Sequence, residues 1–134
     1  MSRKTFTSLQ MMAIFILITI LTGCSSTTLK LGWSETSGLS HKSARYTTFR
    51  GIEQTKICTN AGGKISLEYK VTVEKGSLTV ALNEPDGASQ WQDTFNQDAA
   101  DTRTLTAADK GCYTLLLTGD NTGGSFDIAW TISD

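Results

Sequence analysis

Apolar and polar residues alternate along most of this chain beyond about residue 46. Ile65, Leu67, Tyr69, Val71 and Val73 share one parity, and Leu78, Val80 and Leu82 repeat the device. Trp91 pairs with Phe95, Tyr113 with Leu115 and Leu117, and Phe126 with Ile128, Trp130 and Ile132. A period of two sends successive side chains to opposite faces of an extended strand, so each run predicts a strand with one buried face. Between the runs stand "TNAGGK", "EKGS", "EPDGAS", "NQDAADT", "DKGC" and "GDNTGG", all rich in turn-forming residues. Pro85, the only proline, lies in one of them, where its fixed φ suits a turn. Short alternating strands with a turn about every ten residues predict an all-β domain, a single antiparallel β-sandwich. The row 126, 128, 130, 132 is expected to be buried together, with Asp127 and Thr131 on the opposite face.

The N-terminus breaks this pattern. Arg3 and Lys4 precede an apolar run over residues 11–21, which then gives way to small residues. A basic start, about a dozen apolar residues and a small-residue exit predict a secretory signal helix. The run is shorter than the roughly 20 residues a permanent span needs. Leu21-Thr22-Gly23-Cys24 resembles the lipobox of bacterial lipoproteins. The resemblance implies removal of residues 1–23, transfer of a diacylglycerol to the Cys24 thiol, and frequent acylation of the freed amino group. Two or three acyl chains, at about 0.8 kcal/mol per buried methylene, make such an anchor effectively permanent. The partner implied is therefore the membrane itself, on the side away from the cytoplasm. Ser25 rather than an aspartate follows the cysteine, which favours the outer membrane in a two-membrane bacterium. In a single-membrane bacterium the same residues imply the outer face of the plasma membrane. Residues 24–44, rich in Ser, Thr and Gly, are expected to be a flexible tether, and residues 45–134 the folded domain. Trp33 is expected to dock onto that domain rather than lie among headgroups.

Charge and cysteine count sharpen the picture. The full chain has 12 basic and 13 acidic residues; losing Arg3 and Lys4 leaves 12 − 2 = 10 against 13, a net charge of −3. A mildly acidic chain without a basic cluster argues against nucleic acid as a partner. With Cys24 assigned to lipid, Cys58 and Cys112 remain. An exported pair with neither metal-ligand nor C-x-x-C spacing is expected to be a structural disulfide.

Two stretches carry a second resemblance. "GSLTVALNEPDGAS" and "TLTAADKGCYTLLLTGDNTGGSFDIAWTI" are similar to the bacterial pre-peptidase C-terminal domain. The shared features are an apolar strand entering an N-x-P-D-G turn over residues 82–87, an apolar–Ala–acidic–Gly–Tyr lead-in over 105–113, and a Gly-Ser-aromatic start over 124–126. The likeness covers roughly residues 50–134 and implies a jelly-roll-like β-sandwich acting as a binding or processing module beside enzymes. No protease domain precedes it in this sequence, so a role that depends on one is not carried over.

Catalytic chemistry is scarce. His41 is the only histidine and falls in the expected tether, where nothing would hold a general base in geometry; it is expected to be solvated. Without it no Ser/His/Asp or Cys/His set can be assembled. Glu84 with Asp86, Asp98 with Asp101, and Asp120 with Asn121 sit at turns but lack the dense oxygen-ligand spacing of a calcium loop. Such residues more often bond their own backbone, so no metal or cofactor is expected. Trp130 and Tyr113 are expected in the core. Trp91 is too, although Asp93 shares its parity. The function expected is a non-enzymatic, lipid-anchored envelope module that binds an envelope protein or glycan or gives structural support. The alternative is an accessory or inhibitory partner of a secreted hydrolase. Contiguous outward-facing aromatics would favour a binding platform, and a uniformly polar surface a spacer.

Overall fold

The computed structural model describes residues 27–134; the expected signal helix and Cys24 lie outside the described residues. Within it, seven strands follow in order. They are β1 (Leu29–Leu31), β2 (Ser34–Ser37), β3 (His41–Thr59), β4 (Lys64–Asn83), β5 (Ser89–Phe95), β6 (Ala99–Thr106) and β7 (Gly111–Ser133). All pairings are antiparallel, in the order β1-β3-β7-β4-β5, with β2 also on β3 and β6 also on β4.

Three strands are unusually long, at 19, 20 and 23 residues for β3, β4 and β7. They bend together. Register shifts fall between Tyr46 and Gly51 of β3 and between Val73 and Ser77 of β4, opposite residues 119–124 of β7. Bulges of this kind kink a strand and raise its local twist. The bend folds one sheet over into two layers. The first layer joins β2, residues 41–46 of β3, 124–133 of β7, 64–73 of β4, and β6. The second joins residues 51–59, 111–119 and 78–83 of the same three strands to β5, with β1 at the bend. The result is an antiparallel β-sandwich, as the alternation predicts.

Two expected turns are therefore corrected, and of a third, "NQDAADT" (96–102), only residues 96–98 lie between strands, since Ala99 opens β6. "EKGS" (74–77) and "GDNTGG" (119–124) lie inside β4 and β7 rather than between strands. Turn-forming residues serve the bend because it needs the same unusual backbone. Gly76 has φ 64°, and a Cβ there would fall 2.4 Å from the Asp120 and Asn121 carbonyl oxygens. At Gly119 a Cβ would meet the Phe49 ring at 2.5 Å, so the missing side chain lets that buried ring lie flat on β7.

The core forms where the parity puts it. Ile65, Leu67, Tyr69, Val71, Leu78, Val80, Leu82, Phe95, Tyr113, Leu115, Leu117, Phe126, Ile128 and Trp130 make one buried cluster. Tyr69 of the first layer packs on Phe95 and Trp91 of the second, with ring centroids 5.4 and 5.8 Å apart. Ile132 departs from its row and is 44% exposed. It pairs with Ile65 at the far rim, where the second layer ends near Thr59 and Gly111 and nothing covers it. Cys58 and Cys112 are directly opposed in the β3–β7 ladder and form the expected disulfide.

The segment expected as a tether is also corrected. From Leu29 it is paired backbone: β1 lies on residues 48–50, β2 on residues 42–45, and His41–Ala44 opens β3. The folded unit thus starts well before residue 45. Every residue of β2 is exposed, so main-chain hydrogen bonds hold it and no apolar alternation marks it in the sequence.

Candidate functional site

Outward-facing residues of the first layer gather most of the ionisable groups that one surface can use together. The register aligns His41, Ala129, Glu68 and Thr102 in one cross-strand row, and Ser43, Asp127, Lys70 and Ala100 in the next. Neighbouring strands lie about 4.8 Å apart, so each row presents its groups at that spacing. Ala100 and Ala129 are short and leave an open groove of about 410 Å³ between Glu68, Lys70, Asp101, Thr102 and Asp127. Its floor is polypeptide and its walls are donors and acceptors. Such a surface can hydrogen-bond a hydroxyl-rich or charged ligand.

His41 borders this groove rather than a solvated linker. It opens β3, and its Nε2 lies 2.7 Å from Asp127 Oδ1. This reverses the expectation that nothing holds the imidazole, because pairing of β3 with β7 brings residues 41 and 127 together. The pair is solvent-exposed on an outer face, and Asp127 is the imidazole's side-chain partner among the described residues.

A second cluster lies at the sandwich edge beneath β1 and β2. Lys42 shares its parity with buried Ala44 and Tyr46 and is itself buried. Its Nζ donates to Glu35 Oε1 at 2.9 Å and lies 3.1 Å from Glu53 Oε2, while Lys30 pairs with the other oxygen of Glu53. Burial alone pulls the Lys42 ammonium down, but its hydrogen bonds to Glu35 and Glu53 outweigh that and the net shift is upward. Hydrogen bonds from Ser37 and Lys42, opposed by burial, hold the Glu35 carboxyl at about 2. Trp33 sits in the middle as a plug. It stacks on Tyr46 at 5.5 Å, meets Phe49 edge-on at 5.2 Å, donates its indole N–H to Glu35 at 3.0 Å and carries Lys30 over its ring at 4.4 Å. The expected docking of Trp33 is what the structure shows. Deeper in, burial pushes the Tyr46 phenol up to about 12, opposed by the nearby Thr122 hydroxyl, although neither oxygen reaches hydrogen-bonding geometry.

The acidic turns do local work. Asp86 Oδ1 accepts from Ala88 N–H, Asp98 Oδ1 from Val73 N–H and Asp101 Oδ1 from Thr102 N–H. Among the described residues no group of three or more His, Cys, Asp or Glu could hold a metal. Tyr113 donates to the Asp109 carbonyl at 3.2 Å and latches the β6–β7 turn. Trp91 is half-buried under Arg103. Among the described residues no aromatic side chain is exposed, so the outer faces present no stacking platform. Sequence reasoning missed Lys42, Glu35, Glu53 and the groove. A lysine on the parity of Ala44 and Tyr46 was the available signal, since an inward charge demands a partner.

No protein-family model matches this chain, and no curated protein is detectably similar to it. Among solved structures it is similar to a carbohydrate-binding module (CBM6cm-2) from Cellvibrio mixtus lichenase 5A in complex with cellotriose. The identity is 17% over 81% of this chain and 90% of that one, with a TM-score of 0.45. A CBM4 structure aligns at 12% identity over 77% and 78% of the two chains, TM-score 0.45. BiXyn10A CBM1 in its apo form aligns at 11% over 82% and 93%, TM-score 0.41.

Proposed function

We propose that this chain is a bacterial envelope lipoprotein, anchored through Cys24, whose β-sandwich is a non-catalytic module binding a polar envelope glycan or protein surface. The lipobox-like residues 21–24 support the anchor. The turn residues shared with pre-peptidase C-terminal domains support a module that accompanies other proteins. The observation that carries the binding role is the groove: Glu68, Lys70 and Asp127 stand around two alanines on an otherwise flat sheet. Outer strand positions need no such gap for stability, and a row of donors and acceptors beside it suits a hydroxyl-bearing or ionic ligand. The membrane is the outer one in a two-membrane bacterium and the plasma membrane otherwise.

Chemical crosslinking in envelopes, followed by mass spectrometry, tests the groove. The Glu68→Ala, Lys70→Ala, Asp127→Ala variant is expected to lose the partners that the unchanged chain captures, while keeping its thermal unfolding temperature within a few degrees. An unchanged partner list in a folded triple variant would overturn the assignment.

A further inference from the structure

The two outer faces of the sandwich differ in their carboxylates, which only the first layer carries at outward strand positions, and the chain enters beside the second. Thr28 lies against Gly51, and Leu29 pairs with Arg50. From Cys24 to Leu29 is five residues, a reach of at most about 17 Å when fully extended. If Cys24 carries lipid, that leash decides which surfaces can touch the bilayer. The rim loops beyond Thr59 stand nine residues of extended strand from Arg50. Placing the rim on the membrane would lift Leu29 roughly 30 Å above it, beyond the leash. The bend is within reach but presents three exposed carboxylates, Glu74, Asp98 and Asp120, against Lys75.

The outer face of the second layer is within reach and is different. Its outward strand positions are Ile52, Gln54, Lys56 and Cys58 of β3, Cys112, Thr114, Leu116 and Thr118 of β7, Thr79, Ala81 and Asn83 of β4, and Gln92 and Thr94 of β5. None is a carboxylate. Lys56 is exposed there, and Arg50 is exposed beside it. Two exposed apolar side chains flank the point of entry, Leu31 at 50% and Ile52 at 56%. The first layer's outer face instead mixes the carboxylates of Glu68 and Asp127 with Arg45, Lys64 and Lys70. Anionic headgroups attract Lys and Arg near the surface and repel carboxylates.

We propose that the outer face of the second layer, around Arg50, Ile52 and Lys56, rests on anionic phospholipid headgroups. This turns the groove of the first layer away from the bilayer. The proposal rests on the Cys24 anchor, and the occupant is a lipid surface rich in phosphatidylglycerol. Two cations and two apolar side chains bind weakly by themselves, but the leash holds them at high effective concentration.

The test uses full-length protein processed in and purified from a bacterial envelope, reconstituted in phosphatidylglycerol/phosphatidylethanolamine vesicles with brominated acyl chains. Intact mass first reports whether Cys24 carries diacylglycerol. Tryptophan is then placed by Ile52→Trp, by Gln97→Trp at the bend or by Thr102→Trp on the first layer, and the fluorescence of the unchanged protein is subtracted. The Ile52→Trp signal is expected to be quenched at least about twofold more than either other, and Arg50→Glu with Lys56→Glu to erase the difference. Lipid on Cys24 with equal quenching at all three positions, or stronger quenching at 97 or 102, overturns this orientation and leaves the anchor standing. Absence of lipid overturns the anchor and the orientation with it.

Discussion

Two segments flank the first half of β3, and they are held by different physics. On one side runs residues 124–133 of β7, which drives Phe126, Ile128 and Trp130 into the core. On the other lies β2, four exposed residues with no apolar side chain. The β7 strand is secured by burial. The N-terminal segment is secured by main-chain pairing, by one ring, Trp33, and by the charges of Glu35, Lys42, Glu53 and Lys30. Burial acts at every position of one parity, whereas the clasp depends on a few particular side chains. The difference teaches that a strand can be integral to a sandwich without contributing to its alternation.

The comparison breaks first at Trp130. Truncation to alanine is expected to cost about 3–5 kcal/mol, as for other large buried aromatics. Asp127→Ala, exposed on the opposite face of the same strand, should change stability by less than about 1 kcal/mol, because it loses only a surface pair with His41. Urea denaturation of both variants decides it. Comparable losses would mean that parity does not govern this strand.

Trp33→Ala should cost less, about 2–3 kcal/mol, since the ring is half-buried and covers Tyr46 and Phe49 from one side only. Hydrogen exchange sharpens the point. Amides of β1 and β2 should lose protection in this variant while those of residues 126–130 keep it. Uniform loss along both segments would show that the N-terminal strands and the core unfold as one unit.

The smallest effect concerns the clasp and is seen through pH. The Glu35 carboxyl is held at about 2, below its ordinary 4.5. A depressed carboxylate favours the folded state above the unfolded value, and that contribution fades as pH falls from about 4.5 towards 2. Glu35→Gln should therefore be less stable than the unchanged chain at pH 6 by about 1 kcal/mol or less, the pair being partly exposed. The gap should narrow to a small fraction by pH 2.5 and close below about 2. Denaturation midpoints at the two pH values measure it, and a gap that persists in acid would remove the ion pair as its cause.

Much of the fold was legible because burial writes a period of two. Parity identified the inward rows of β4, β5 and β7 from Ile65 to Trp130, with Ile132 misplaced at a rim that only the end of the opposing layer creates. It named neither β6 nor β3, whose Tyr46, Phe49 and Ile57 are also core. The disulfide was legible from cysteine count, spacing and the expectation of export. The groove was not. Its members Glu68, Lys70, Asp101 and Asp127 come from three strands that only the β7–β4–β6 register brings together, and His41 borders it from a fourth.

By itself the sequence determined the class, the core rows of β4, β5 and β7, the cysteine pairing and the residue types at the bend. Local side-chain preference and burial are written residue by residue. Tertiary structure alone decided that "EKGS" and "GDNTGG" bend continuous strands instead of ending them, because the choice depends on whether a partner strand continues alongside. It alone decided that residues 29–31 and 34–37 are strands, because backbone hydrogen bonds to β3 are indifferent to the side chains they carry.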